Sequence, residues 1–114
     1  MTSMKERLEE AKNTMEILSK EYPRLQSPFG VLKRHAVEED GALPAKIKKM
    51  IALAIALADG CEWCIAIHTK GALEAGATKD ELIEAAYVAV LMAGGPALTH
   101  ICKLLEAIDE FSQD

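Results

Sequence analysis

Aromatic side chains are scarce in this chain: one Trp, two Tyr and two Phe make up 4% of 114 residues. With 50% of the chain apolar, the core must be aliphatic and rich in alanine. That apolar share excludes a disordered chain. Long hydrophobic runs are missing too. No unbroken apolar run is longer than Met50 to Ala58, against the roughly 20 residues that span a bilayer. Basic charge is in deficit, 13 Lys+Arg against 18 Asp+Glu for a net charge of -5, which argues against general nucleic-acid binding. The opening MTSMKERLEE carries charges where a secretory signal needs an apolar stretch. Three cysteines, an odd number, fit no secreted disulfide framework. The expectation is a soluble, cytoplasmic protein of one domain, residues 1–114, without membrane or nucleic-acid partners.

What the sequence does have is helical periodicity. Met4, Leu8, Ala11, Met15 and Leu18 recur at three and four, so residues 4–20 read as an amphipathic helix stopped by Pro23. Ser27-Pro28 reads as an N-cap and first helical position, opening a short helix to about His35. Val37 to Gly41 reads as a polar connection. Pro44 opens a helix to about Ala58 with a basic start (Lys46, Lys48, Lys49) and a second half apolar on all sides. Such a helix should be buried all round. A small domain has little interior in which to hide it, so part of its surface is expected under another subunit. Asp59 and Glu62 have capping-box spacing before a helix from about Cys61 to Ala75, which Gly76 ends. Thr78 and Glu81 form a second box for a helix over 79–93, and Pro96 starts the last helix, to about Phe111. No segment alternates convincingly with a period of two. The fold class is all-α with about six helices: a helical layer over residues 1–40 and a core over 41–112.

The chemistry concentrates in Cys61-Glu62-Trp63-Cys64-Ile65-Ala66-Ile67-His68. On a helix, positions 61, 64 and 68 share one face. Cysteines three apart at a helix start can close a disulfide, and the free N–H groups there favour thiolate over thiol. A histidine four residues after Cys64 can take its proton. Two other readings stay open. The pair with His68 could be part of a zinc site completed by Cys102, His100 or His35, or the cysteines could be buried and structural. Which cysteine attacks is also open: the helix end favours Cys61, the histidine favours Cys64, and Asp59 and Glu62 oppose both thiolates by like charge. Trp63 can wall a pocket or pack at a subunit contact. Lys49, twelve residues before Cys61, reads as a solvated helix end that can reach the site. Tyr87 is expected in the core.

These residues resemble a known family. The segment from Gly41-Ala-Leu-Pro to Phe111 is similar to the core of the AhpD-like alkylhydroperoxidases, grouped with the carboxymuconolactone decarboxylases. The similarity lies in the basic start of a long apolar helix, Cys61-x-x-Cys64-x-x-x-His68, Gly76-Ala77-Thr78 before an acidic helix start, and Gly94-Gly95-Pro96-Ala97. The resemblance implies an AhpD-like helical core that is an obligate oligomer, a trimer or hexamer. It implies peroxide reduction, with Cys64 peroxidatic, Cys61 resolving and His68 in a proton relay. No bound cofactor is implied; an external dithiol such as dihydrolipoamide returns the electrons. Lys49 stands where the family relay often has glutamate, and Trp63 where AhpD has histidine. A lysine can steady a thiolate but is a poor base at neutral pH. The alternatives are a lactone decarboxylase acting through His68 and Lys49 on a substrate anion, and a non-enzymatic oligomeric module stapled by the cysteines or zinc.

Overall fold

The computed structural model describes residues 2–112, and over these it is entirely helical. The elements are α1 (Met4–Glu21), α2 (Pro23–Lys33), a π-helical turn (Arg34–Glu38), α3 (Ala45–Asp59), α4 (Glu62–Glu74), α5 (Lys79–Ala93) and α6 (Gly95–Ser112). Helix α4 occupies the middle, packed by α1, α3 and α6, while α5 closes the far side against α3 and α6. Among the described residues, no helix is long and apolar enough to cross a membrane.

The core is aliphatic, as the shortage of aromatics requires. Leu53, Leu57, Ile65, Leu82 and Leu104 are fully buried, with small Ala66, Ala72, Ala86, Ala97 and Ala107 between them. Alanine contributes little area per residue. It lets helix axes approach closely and carries the highest helix propensity. Met4, Leu8 and Ala11 bury one stripe of α1. Two devices fix the start of that helix. Ser3 and Glu6 form a capping box, and the Glu110 carboxylate of α6 accepts from the Met4 and Lys5 N–H groups at 3.3 and 3.0 Å. Helix α5 starts on the expected Thr78–Glu81 box, and Lys46 of α3 ties the same Glu81 at 2.9 Å.

Three expectations need correction. Helix α2 starts at Pro23 rather than at Ser27-Pro28, and Pro28 lies inside it. Proline at a first turn surrenders only an N–H that has no intrahelical partner. The Tyr22 carbonyl accepts from Leu25 and Gln26 at 3.1 and 2.9 Å, so the chain re-enters a helix at once. Nor is Val37–Gly41 all connection, since the helix widens into the π turn through Glu38. There the Lys48 ammonium donates to the His35 and Glu39 carbonyls at 3.0 and 2.9 Å. The apolar half of α3 buries Leu53, Ala56 and Leu57 within the chain and leaves Ile51, Ile55 and Ala58 exposed, the kind of surface expected under another subunit. Tyr87 lies on the exposed face of α5 rather than in the core.

Candidate functional site

The site begins at the break between α3 and α4. Gly60, at φ 72° and ψ 29°, ends α3 in the left-handed region that favours glycine. The Cys61 N–H reaches back to the Ala56 carbonyl at 3.1 Å and closes that turn. The reversal makes Cys61, not Asp59, the residue that precedes the first turn of α4. The expected Asp59–Glu62 capping box is therefore not formed. Cys61 itself is the N-cap, and its sulfur accepts the Cys64 N–H at 3.1 Å. Cys61 and Cys64 are joined in a disulfide across 5.2 Å between their Cα atoms.

The two residues between the cysteines are pinned by α1. The Glu62 carboxylate, set against both sulfurs by sign, is engaged by Arg7 at 3.4 Å and approached by Lys103 at 3.9 Å. Those cations offset its repulsion of a thiolate. Trp63 lies half-exposed beneath the Arg7 guanidinium, 4.8 Å from the ring centroid, and its indole N–H donates to Glu10 at 3.1 Å. It packs against its own chain's first helix. These contacts hold the start of α4 against α1 through the side chains nearest the sulfurs.

A second imidazole, that of His100, packs on the α3–α4 break at Gly60. The His100 ring rests on Gly60 so closely that a Cβ there would sit 3.2 Å from Cε1 and Nε2. Its Nδ1 lies 2.7 Å from the Pro96 carbonyl, which makes Nδ1 a donor. His100 is 40 positions away in sequence, and no local pattern connects it to the Cys motif. Only the packing of α6 on the α3–α4 break brings it there.

His68 follows Cys64 by one turn of α4 and is partly buried. It lines a cleft of about 380 Å³ together with Lys49 of α3, Lys33 of α2 and Lys12 of α1, over the apolar side chains Leu8, Val37 and Ile67. Neither cysteine lines this cleft, and among the described residues no hydrogen bond joins His68 to either sulfur. Burial holds the imidazole below its ordinary pKa, and the charges of Lys33 and Lys49 add to the effect. His68 is thus neutral at pH 7 and able to accept a proton. Lys49 reaches the cleft because its stem crosses Gly71; a Cβ there would touch Lys49 Cδ at 3.4 Å. The lysine twelve residues before Cys61 is therefore beside His68 rather than in bulk solvent.

Among the described residues, no group of three or more His, Cys, Asp or Glu side chains could hold a metal ion. His35 pairs with Glu39 at 3.4 Å on the π turn, and Cys102 is an exposed free thiol on α6. What the arrangement offers is a cysteine pair at a helix start, with His68 one turn along α4 and His100 on the glycine that precedes the pair.

Comparison with known proteins agrees with this geometry. Residues 23–107 match the model of the carboxymuconolactone decarboxylase family. An uncharacterised protein of Cupriavidus necator is 38% identical over 109 residues, 95% of each chain. Uncharacterised protein 4 in the cox locus of Paracoccus denitrificans is 45% identical over 71 residues, 62% of this chain and 64% of that one. Among solved structures, that of apo-lpg0406, a carboxymuconolactone decarboxylase family protein from Legionella pneumophila, superposes with a TM-score of 0.91. It is 37% identical, and the match covers 96% of both chains.

Proposed function

The chain belongs to the carboxymuconolactone decarboxylase family, and from that premise we propose that it is a thiol-dependent oxidoreductase that reduces peroxides through Cys64 and Cys61. The observation that carries this reading is the Cys61–Cys64 disulfide at the N-terminus of α4, where free backbone N–H groups favour the thiolate that reduction releases.

The reading entails the following steps. In the reduced form, His68 takes the Cys64 proton, and the Cys64 thiolate attacks one oxygen of a hydroperoxide. The O–O bond breaks, a sulfenic acid forms on Cys64, and the departing alkoxide takes the proton held on His68 and leaves as the alcohol. The Cys61 thiolate then attacks the sulfenic sulfur, a disulfide forms, and hydroxide leaves and is protonated to water. An external dithiol exchanges with the disulfide and is itself oxidised, returning two thiols. Lys49 stands near His68 as a fixed positive charge rather than as a base. Trp63, held by Arg7 and Glu10, keeps the motif seated on α1.

We also place this activity in an oligomer, a trimer or hexamer. Leu91 and Met92 are 83% and 80% exposed, and Ile55 63%. Ile51, Ile55, Val88 and Met92 line one apolar groove of about 300 Å³ between α3 and α5. An apolar surface of this extent is characteristic of an interface. Residues 1–40 complete the same single domain, covering α4 and supplying Lys12 and Lys33 to the cleft.

The test is a thiol count on the reduced protein before and after stoichiometric peroxide, with the product mapped by mass spectrometry. Loss of two thiols with a Cys61–Cys64 linkage is expected. Thiols unchanged by peroxide would sink the reading.

A further inference from the structure

The cleft beside His68 has a charge that the rest of the chain does not prepare for. The protein carries a net charge of -5, yet the side chains around this cleft are predominantly cationic. Lys12, Lys33 and Lys49 arrive from three different helices, so no single helix face accounts for their meeting. Lys33 is partly offset by Glu38 at 3.6 Å, and Lys70 and Glu74 also line the cleft. Lys49 is half-buried across Gly71, where a larger residue would crowd it. Gathering like charges around a partly desolvated imidazole is unfavourable unless an anion joins them. Leu8, Val37 and Ile67 add apolar surface to the lining, so the fitting anion carries a hydrocarbon body.

We propose that this cleft is the substrate subsite for a carboxylate, and that the favoured substrate is an aliphatic hydroperoxide bearing a carboxylate at its far end. The proposal rests on the peroxidase reading above for its reactive end. Its anionic end rests on the lysines alone. Residues 64 and 68 are separated by about 6 Å along the helix axis. Cys64 lies outside the cleft, one turn of α4 from His68, so a carboxylate seated against Lys33 and Lys49 must carry its peroxide on a chain of several carbons to meet the sulfur. That geometry selects against hydrogen peroxide and short hydroperoxides, which cannot hold both ends at once.

Two measurements on the full chain test the two halves separately. The first titrates the disulfide form with hexanoate, with hexanol as the neutral control, and follows the His68 imidazole by NMR. Hexanoate is expected to shift the resonance saturably and to raise the His68 pKa by neutralising the lysines, whereas hexanol does neither. Lys33→Gln and Lys49→Gln should each weaken hexanoate binding about tenfold, while Lys20→Gln, on the exposed side of α1, leaves it unchanged. Equal responses to hexanoate and hexanol, or binding indifferent to both lysine variants, would overturn the proposal. The second compares ω-hydroperoxyhexanoate with its methyl ester as substrates of the reduced protein. The acid should be favoured about tenfold in kcat/KM at low salt, with the preference shrinking as salt is added. Equal rates for acid and ester would also overturn the proposal. If neither hydroperoxide consumes thiols while hexanoate still binds, the carboxylate subsite stands and the peroxidase reading falls.

Discussion

Cys61 and Cys64 are coupled twice: by the disulfide between their sulfurs, and by the Cys64 N–H donated to the Cys61 sulfur at 3.1 Å. The second link is the contact of an N-cap, and a thiolate at a helix N-terminus is favoured by such an N–H donor. In the proposed cycle Cys61 is the sulfur that leaves when an external thiol attacks Cys64, and the one that attacks when Cys64 is a sulfenic acid. On that reading the helix end acts on Cys61 and the histidine on Cys64, at different steps.

The division of labour predicts an asymmetric pair of variants. Cys64→Ser should abolish peroxide-dependent sulfenic acid formation. Cys61→Ser should leave the Cys64 sulfenic acid trapped, detectable with a dimedone-type reagent and by mass spectrometry. Turnover with a dithiol should fall below about one per cent of the parent in both, because each lacks one partner of the exchange. Parent-like rates in either variant would refute the assignment.

The N-cap role of Cys61 predicts a stability order that has nothing to do with redox. Under reducing conditions, Cys61→Ser should be more stable than Cys61→Ala by about 1 kcal/mol, the usual gap between serine and alanine at an N-cap. Urea denaturation with excess reductant measures it. Equal midpoints would mean that position 61 does not cap α4.

His68 predicts a pH dependence of definite sign. Its folded pKa lies below the ordinary value because of burial and then Lys33 and Lys49. The unfolded chain therefore binds a proton at a pH where the folded one does not, and stability rises with pH in that window. The contribution is fully present above about pH 6.5 and is lost as the pH falls toward the folded pKa. His68→Gln should flatten the fall of Tm between about pH 7 and 5 relative to the parent. If the two proteins lose Tm in parallel, His68 is not desolvated in solution.

Much of this is legible in the sequence, and the failures have separate physical causes. Helical periodicity and the Thr78–Glu81 box are local, and they place α5 within the residues expected. The Cys-x-x-Cys-x-x-x-His spacing is local too. The Asp59–Glu62 box failed because a left-handed Gly60 changes which residue points at the helix start. The Ser27-Pro28 start failed because two prolines competed for one role, and Pro23 lacked nothing that the first turn needs. The seating of His100 on Gly60 and the meeting of Lys12, Lys33 and Lys49 depend on how helices distant in sequence pack. No periodicity encodes that.

The exposed face of α3 and α5 predicts an assembly that one charge can break. Ile55 lines the apolar groove and is 63% exposed in the isolated chain. Ile55→Glu should leave the helical content unchanged, because the side chain makes little of the chain's own core. In an interface it would bury an unpaired carboxylate, which costs several kcal/mol. Sedimentation should shift from the oligomer toward the 12.4 kDa monomer. A parent that already sediments as a monomer would refute the interface.

Thr69 offers the sharpest test of the core. It is fully buried on α4, and its Oγ1 has no hydrogen-bond partner. A buried hydroxyl left unsatisfied costs about 1–3 kcal/mol. Valine has nearly the same shape and the same β-branching, so helix propensity changes little. Thr69→Val should therefore raise the urea midpoint, by about 1 kcal/mol of stability, with the m-value unchanged. Thr69→Ser keeps the hydroxyl and removes a methyl group, leaving a small void, so it should be destabilised by about 1 kcal/mol. The two variants separate polarity from packing at one position. If valine lowers the midpoint instead, the hydroxyl is bonded in solution, to a backbone carbonyl of α4 or to a buried water, and this part of α4 is a satisfied polar site within the core.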